Sequence, residues 1–210
     1  MNINNFKAAE FSPNWLEDIF NKQQALLDKY ADIEGMPALP VNVNTREGQK
    51  WIKDFLWRVT EEMAESHEAI ILDRVGDDSE KSEMHFQHRV EELIDALHFL
   101  VELIIIVGKD WKWAREQLDS TLTLQVENRG EAAPYWQVVY YLGLVGNTLK
   151  NKPWKQTEMP TDEEKFFKNL GLSFKALFAC LAAQGQTEEK VFNFYSRKNQ
   201  VNQFRQKSNY

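Results

Sequence analysis

Apolar residues along the chain recur at three- and four-residue intervals, and no apolar–polar alternation lasts long enough to make a strand. Trp15, Ile19, Leu26 and Tyr30 mark a helix over residues 15–30, closed by Gly35-Met36-Pro37. Residues 32–45, with Pro37 and Pro40, read as a loop. A second helix is expected over 47–74, before the turn-like Gly76-Asp77-Asp78-Ser79. A third is expected over 83–107, with Gly108 in the position of a C-terminal cap. Residues 111–124 predict a short helix, and Pro134 suits the first turn of another over 135–150. Thr161-Asp162-Glu163-Glu164 has the form of a capping box opening a helix to Ala183. Past Gly185, Thr187-Glu188-Glu189 introduces a last helix ending near Arg205. The pattern predicts an all-α bundle of six or seven helices forming one domain, residues 1–210.

Composition narrows the class. With 9 Gly and 6 Pro in 210 residues and 43% hydrophobic residues, the chain can bury a core and is not expected to be disordered. A formal charge of −7 leaves no electrostatic footprint for nucleic-acid backbones. The single cysteine, Cys180, excludes an intrachain disulfide and a thiolate zinc cage. The longest apolar run, residues 103–107, is far too short to span a bilayer, and the N-terminus shows no secretory signal. The expectation is a cytoplasmic protein (the host's cytoplasm, were the source viral) with neither nucleic-acid nor membrane partners.

The third helix carries the most informative chemistry. It is apolar on nearly every side, which places it inside the bundle, yet Glu92, Asp95 and Glu102 lie along it. Buried carboxylates cost several kcal/mol each without compensation, roughly, and no Lys or Arg lies between Glu91 and Val107. On the second helix Glu62 and Glu65 are likewise three apart and so share a face. Packed as an antiparallel hairpin, the two helices would oppose Glu62 and Glu65 to Glu92 and Asp95 at the centre of the bundle. Four converging carboxylates make a hard, oxygen-only site suited to Mg²⁺ or Mn²⁺. His98 reads as a core histidine instead of a ligand.

The last helix presents a polar strip. With Lys198 as origin, Asn202 lies about 40° away, Arg205 about 20° to the other side and Tyr195 about 60° off. An ammonium, an amide, a guanidinium and a phenol on one face, opposite a cation-loaded carboxylate cluster, suit a polyphosphate.

Together these features resemble the all-α nucleoside triphosphate pyrophosphatase superfamily and, within it, the dimeric dUTPase family. The resemblance rests on Glu62-x-x-Glu65, on Glu92-Leu93-Ile94-Asp95-Ala96-Leu97-His98-Phe99, and most specifically on Tyr195-x-x-Lys198-Asn199-x-x-Asn202-x-Phe204-Arg205. Gln23-Gln24-Ala25-Leu26-Leu27-Asp28 is similar to the family's base-reading segment. Residues 109–160 match nothing in the family and stand as an insertion or a mobile helical part. The resemblance implies Mg²⁺-dependent hydrolysis of a deoxynucleoside triphosphate, dUTP foremost, to the monophosphate and pyrophosphate by a homodimer. It implies Glu62 or Glu65 as the partner of the attacking water, and Glu62, Glu65, Glu92 and Asp95 as metal ligands. Lys198 and Arg205 would offset phosphate charge, Tyr195, Asn199 and Asn202 would position sugar or phosphate, and Gln24 would read the base. Two departures stand out. Leu27 replaces the expected uracil-reading Asn, and the family's Trp/Lys-rich segment after E-x-x-E is missing, which leaves Arg74, Lys81 or Arg89 to supply its lysine and Trp51 or Trp57 to stack on a base. A dCTP or broader house-cleaning pyrophosphatase is the alternative enzyme, and a non-catalytic helical interaction protein the alternative from another class.

Overall fold

The computed structural model describes residues 9–75, 79–122, 124, 132–152 and 154–207. Among these residues lie seven helices and no strand: α1 (Trp15–Glu34), α2 (Arg46–Val75), α3 (Ser79–Ile106), α4 (Trp111–Asp119), α5 (Ala133–Thr148), α6 (Glu163–Ala183) and α7 (Glu188–Lys207). The predicted all-α bundle is therefore what forms. Of the predicted turn, Gly76 to Asp78 lies outside the described residues, and Ser79 already belongs to α3.

Local chemistry explains where the helices stop. α1 runs four residues past its predicted end, to Gly35, whose φ of 68° lets its N–H return to Ala31 O. At Gly108, φ +78°, the chain leaves α3 and Lys109 N donates back to Ile104 O. α4 is capped by Asp110, which accepts from Trp113 N, and it ends at Asp119 instead of Leu124 because Ser120 is extended. The cap of α6 is Asp162, which accepts from Lys165 N at 3.1 Å, and not the predicted Thr161. Thr161 is instead buried, its hydroxyl donating to Val43 O and its N–H to Asn44 Oδ1. Gln49, also buried, joins both segments by donating to Val43 O and Thr161 Oγ1 and accepting from Asn151 N.

α2 and α3 pack against each other as the antiparallel pair that the carboxylate spacing requires. Ser66 Oγ donates to Arg89 O near the turn, and Arg58 lies over the Phe99 ring farther along. α3 is buried on almost every side, with Leu93, Leu97, Leu100 and Ile104 fully enclosed. α5 and α6 form a second pair. α6 is long and apolar enough by composition to cross a bilayer, but here Phe166, Leu170, Phe174 and Leu177 bury it in the core. α1 and α7 pack together and both lean on α3, leaving a cleft between α1 and α2.

Candidate metal centre and adjoining pocket

α2 supplies Glu62 and Glu65 one turn apart, and the facing turn of α3 supplies Glu92 and Asp95. Burial of Val59 and Met63 on α2, and of Leu93 and Ile94 on α3, fixes the rotation of both helices and turns the acidic residues toward one another. Carboxylate oxygens of Glu62, Glu65 and Glu92 lie within 4.8 Å of one another. The Glu62 and Glu92 carboxyls face each other closely enough to hydrogen-bond when one of them is protonated. Burial pushes the Glu62 carboxyl up to about 8, helped by that bond to Glu92 and by the charges of Asp95, Glu92 and Glu65. Burial also raises Glu92. His88 Nδ1 lies 2.9 Å from Glu92 Oε1 and orients that carboxylate. An oxygen-only cluster of crowded carboxylates, short of positive charge, fits a hard dication, Mg²⁺ or Mn²⁺. Asp95 is engaged differently, since Lys198 Nζ sits 2.6 Å from its Oδ2. Three predicted ligands thus converge, and the fourth is held by the predicted phosphate lysine.

Beside this cluster lies a pocket of about 350 Å³ between α1, α2, α3 and α7. Glu62 and Asp95 border it at one end, and Lys198, Asn202 and Arg205 of α7 form a cationic and polar wall. Leu26 and Phe99 line it with apolar surface. At a helical rise of about 1.5 Å per residue, Glu102 lies roughly 10 Å along α3 from Asp95 and marks the far end. Gln23, Arg58 and Glu34 also line the pocket. Glu102 is 6% exposed, and burial pushes its carboxyl up to about 7 against the opposing effects of a Gln23 hydrogen bond and the Arg58 charge.

The structure sorts the remaining predicted residues. Tyr195 is fully buried, its hydroxyl donates to Gln23 Oε1, and its ring stacks on His98 with centroids 3.8 Å apart. Asn199 donates to Lys22 O and accepts from Gln203, so it ties α7 to α1 instead of facing the pocket. Gln24 donates to Asp28 one turn on along α1, and its neighbour Gln23 is the residue that lines the pocket. Leu27 is packed in the core, so the position expected to hold a base-reading Asn does not reach the pocket. Trp57 is exposed in a separate groove with Val139 and Leu142, and neither it nor Trp51 lines the pocket, where Phe99 provides the aromatic surface. Arg74 and Arg89 do not line it either; Arg89 is engaged by Asp73 and Gln184. The Lys81 side chain lies outside the described residues. His98 is buried and neutral, its Nδ1–H donating to Ile94 O and burial lowering it to about 4. Sequence reasoning missed Gln23, Tyr30, Glu34 and Arg58. A signal for the first three exists, because with Leu26 they recur along one face of α1.

A sequence model of the family described as dUTPase matches residues 79–210, from the start of α3 to the C-terminus. The chain belongs to the all-α dUTPase family. Comparisons with curated proteins and with solved structures gave no match. The dUTPase match includes Glu92, Asp95, Lys198, Asn202 and Arg205, whereas Glu62, Glu65 and Gln23 precede it. Folding brings those earlier residues onto the dUTPase segment, so α2 completes the carboxylate cluster and α1 completes the pocket. Membership in the dUTPase family supports hydrolysis of dUTP or a related deoxynucleoside triphosphate.

Proposed function

We propose that the protein is a Mg²⁺-dependent pyrophosphatase that hydrolyses dUTP with one water to dUMP and pyrophosphate. The observation that carries this reading is the meeting, in one pocket, of the Glu62–Glu65–Glu92 cluster with Lys198, Asn202 and Arg205. A triphosphate cannot lie beside these carboxylates unless a cation bridges the two sets of negative charge. Mg²⁺, or Mn²⁺ in its place, held by Glu62, Glu65, Glu92 and Asp95, would polarise phosphoryl oxygens and acidify a bound water. Glu62 or Glu65 would orient the attacking water and accept its proton. Lys198 and Arg205 offset charge on the phosphate chain, and Asn202 positions sugar or phosphate. Tyr195 and Asn199 act through α1, holding Gln23 and the backbone beside it. No Ser, Thr or Cys lines the pocket among the described residues, in keeping with direct attack by water. The exposed apolar surface of Trp57, Trp136 and Tyr140 on α2 and α5 supports a working homodimer, which light scattering would measure. A lone, buried Cys180 suits the cytoplasm.

Pyrophosphate release from dUTP, dCTP and dTTP, measured side by side with Mg²⁺ and with EDTA, tests the proposal. Metal-dependent turnover with dUTP preferred supports it. A clear preference for dCTP would move the assignment to the related house-cleaning activity. Absence of turnover with every nucleotide would leave a non-catalytic helical protein.

A further inference from the structure

His88 is not among the predicted metal ligands and does not line the pocket, yet it holds one of those ligands. Its Nδ1 lies 2.9 Å from Glu92 Oε1, a hydrogen-bond distance, and Glu92 is its one polar partner among the described residues. The two side chains stand one turn apart on α3, so the helix itself sets their spacing. Most such pairs lie on a solvated face and contribute little to stability. This one differs in where its acidic member is directed. The Glu92 side chain is only 12% exposed, and its carboxylate meets those of Glu62 and Glu65 across the gap to α2, with oxygens within 4.8 Å of one another. The His88 side chain is 50% exposed, so packing does not account for it.

Crowded carboxylates repel one another, and a long glutamate side chain has several rotatable bonds by which to swing away. The charge of Asp95 acts on Glu92 as well. A donor on Glu92 Oε1 opposes that repulsion, and it takes one lone pair while leaving the others for a ligand to share. An imidazole can donate this bond uncharged, so it restrains the carboxylate without standing in the place of a dication. The Lys198 ammonium on Asp95, at 2.6 Å, brings a full positive charge and has no such neutrality. The imidazole is not among the groups that converge within 4.8 Å, so it stands behind Glu92 and not beside it as a further ligand.

The backbone that carries His88 is fixed from the core. Ser66 is fully buried, donates from Oγ to Arg89 O at 2.8 Å, and lies 3.2 Å from the Tyr135 hydroxyl. Ser66 follows Glu65 in the chain and Arg89 follows His88. This contact therefore locks the register of α2 against α3 at the turns that carry the cluster, and gives the imidazole a set place relative to Glu65 and Glu92.

We propose that His88 is a positioning residue of the metal centre, its Nδ1–H holding Glu92 in the orientation in which it ligates. Outer partners of this kind are typically worth about 10- to 100-fold in metal affinity. The proposal rests on the metal-dependent reading above and adds to it a residue that acts through a ligand.

Titration of the full chain with Mn²⁺ in the absence of nucleotide, followed by the paramagnetic resonance of the free ion, tests it. His88→Ala removes the donor, His88→Phe removes it but keeps a ring, and His88→Asn returns an N–H close to the position of Nδ1. The Ala and Phe variants are expected to bind Mn²⁺ about tenfold or more weakly than wild type, and the Asn variant to come within about threefold of it. Urea midpoints in EDTA, read by circular dichroism, are expected to stay near wild type for all three, which separates lost positioning from misfolding. Electron spin echo spectra of the Mn²⁺-loaded wild type are expected to show no histidine nitrogen bound directly to the ion. The assignment is overturned if the Ala and Phe variants bind Mn²⁺ as tightly as wild type, or if Asn fails to restore affinity. It is overturned equally by a directly bound nitrogen that is present in wild type and lost in His88→Phe. Those results leave the pyrophosphatase reading standing when wild type binds Mn²⁺ and hydrolyses dUTP. A wild-type chain that binds no Mn²⁺ overturns the metal centre, and the part of His88 with it.

Discussion

Replacing Glu102 with glutamine is expected to stabilise the metal-free protein by an amount that grows with pH. Burial raises the Glu102 carboxyl from 4.5 to about 7. In the unfolded chain the group ionises near its ordinary value. Below that value both states are protonated and the residue costs nothing electrostatic. Between there and about pH 7 folding must take up a proton, so stability falls with rising pH by up to about 1.4 kcal/mol per unit. Above pH 7 both states are ionised, and the folded state has lost about 3 kcal/mol relative to acid conditions. Glutamine keeps the shape and an oxygen for the Gln23 donor but cannot ionise. The variant's advantage is therefore expected to be small near pH 5 and to approach about 3 kcal/mol at pH 8. Urea unfolding of both proteins in EDTA at several pH values, followed by circular dichroism, measures this. The difference between the two curves removes the contribution of Glu62 and Glu92, which titrate in both. A difference that stays flat with pH, or a variant less stable than wild type at pH 8, would refute the argument.

The remaining predictions concern the carboxylate centre and its wall. Glu62→Gln and Glu92→Gln are each expected to lower dUTP hydrolysis by about two to three orders of magnitude while raising the melting temperature in EDTA, because charge repulsion is relieved; loss of both activity and stability would indicate misfolding instead. Mg²⁺ at 100 times its dissociation constant is expected to stabilise wild type by about 2.7 kcal/mol, and the Glu62→Gln variant by much less, as thermal scans with and without metal would show. Lys198→Met releases Asp95 from its 2.6 Å ion pair, so Mn²⁺ binding without nucleotide is expected to hold or strengthen by paramagnetic resonance titration, while nucleotide affinity falls about tenfold or more. Tyr195→Phe removes the hydroxyl that orients Gln23 and is expected to cost about 1 kcal/mol in dUMP binding with little change in kcat.

Much of the molecule was fixed by local pattern. The three- and four-residue spacing of apolar positions predicted six or seven helices, of which seven form among the described residues, and Gly35, Gly108 and Pro134 punctuated them, because helix periodicity and backbone conformational preference act within a few residues. Glu62, Glu65 and Glu92 were legible as a cluster for the same reason: a three-residue spacing puts carboxylates on one face, and an apolar helix bearing them had to face a partner. What local pattern could not set was the rotation of α1 and α7 about their own axes. Whether Gln23 or Gln24 meets the pocket, and whether Tyr195 and Asn199 touch a ligand or brace α1, depends on which residues α1 and α7 bury against each other and against α3. The same packing brings Arg58, Glu102 and Gln23 from three helices to one end of a cleft, and it leaves Asp95 to Lys198 instead of to its neighbouring carboxylates. Sequence periodicity determines which side chains share a face; only the simultaneous close packing of several faces determines which of them meet across a gap.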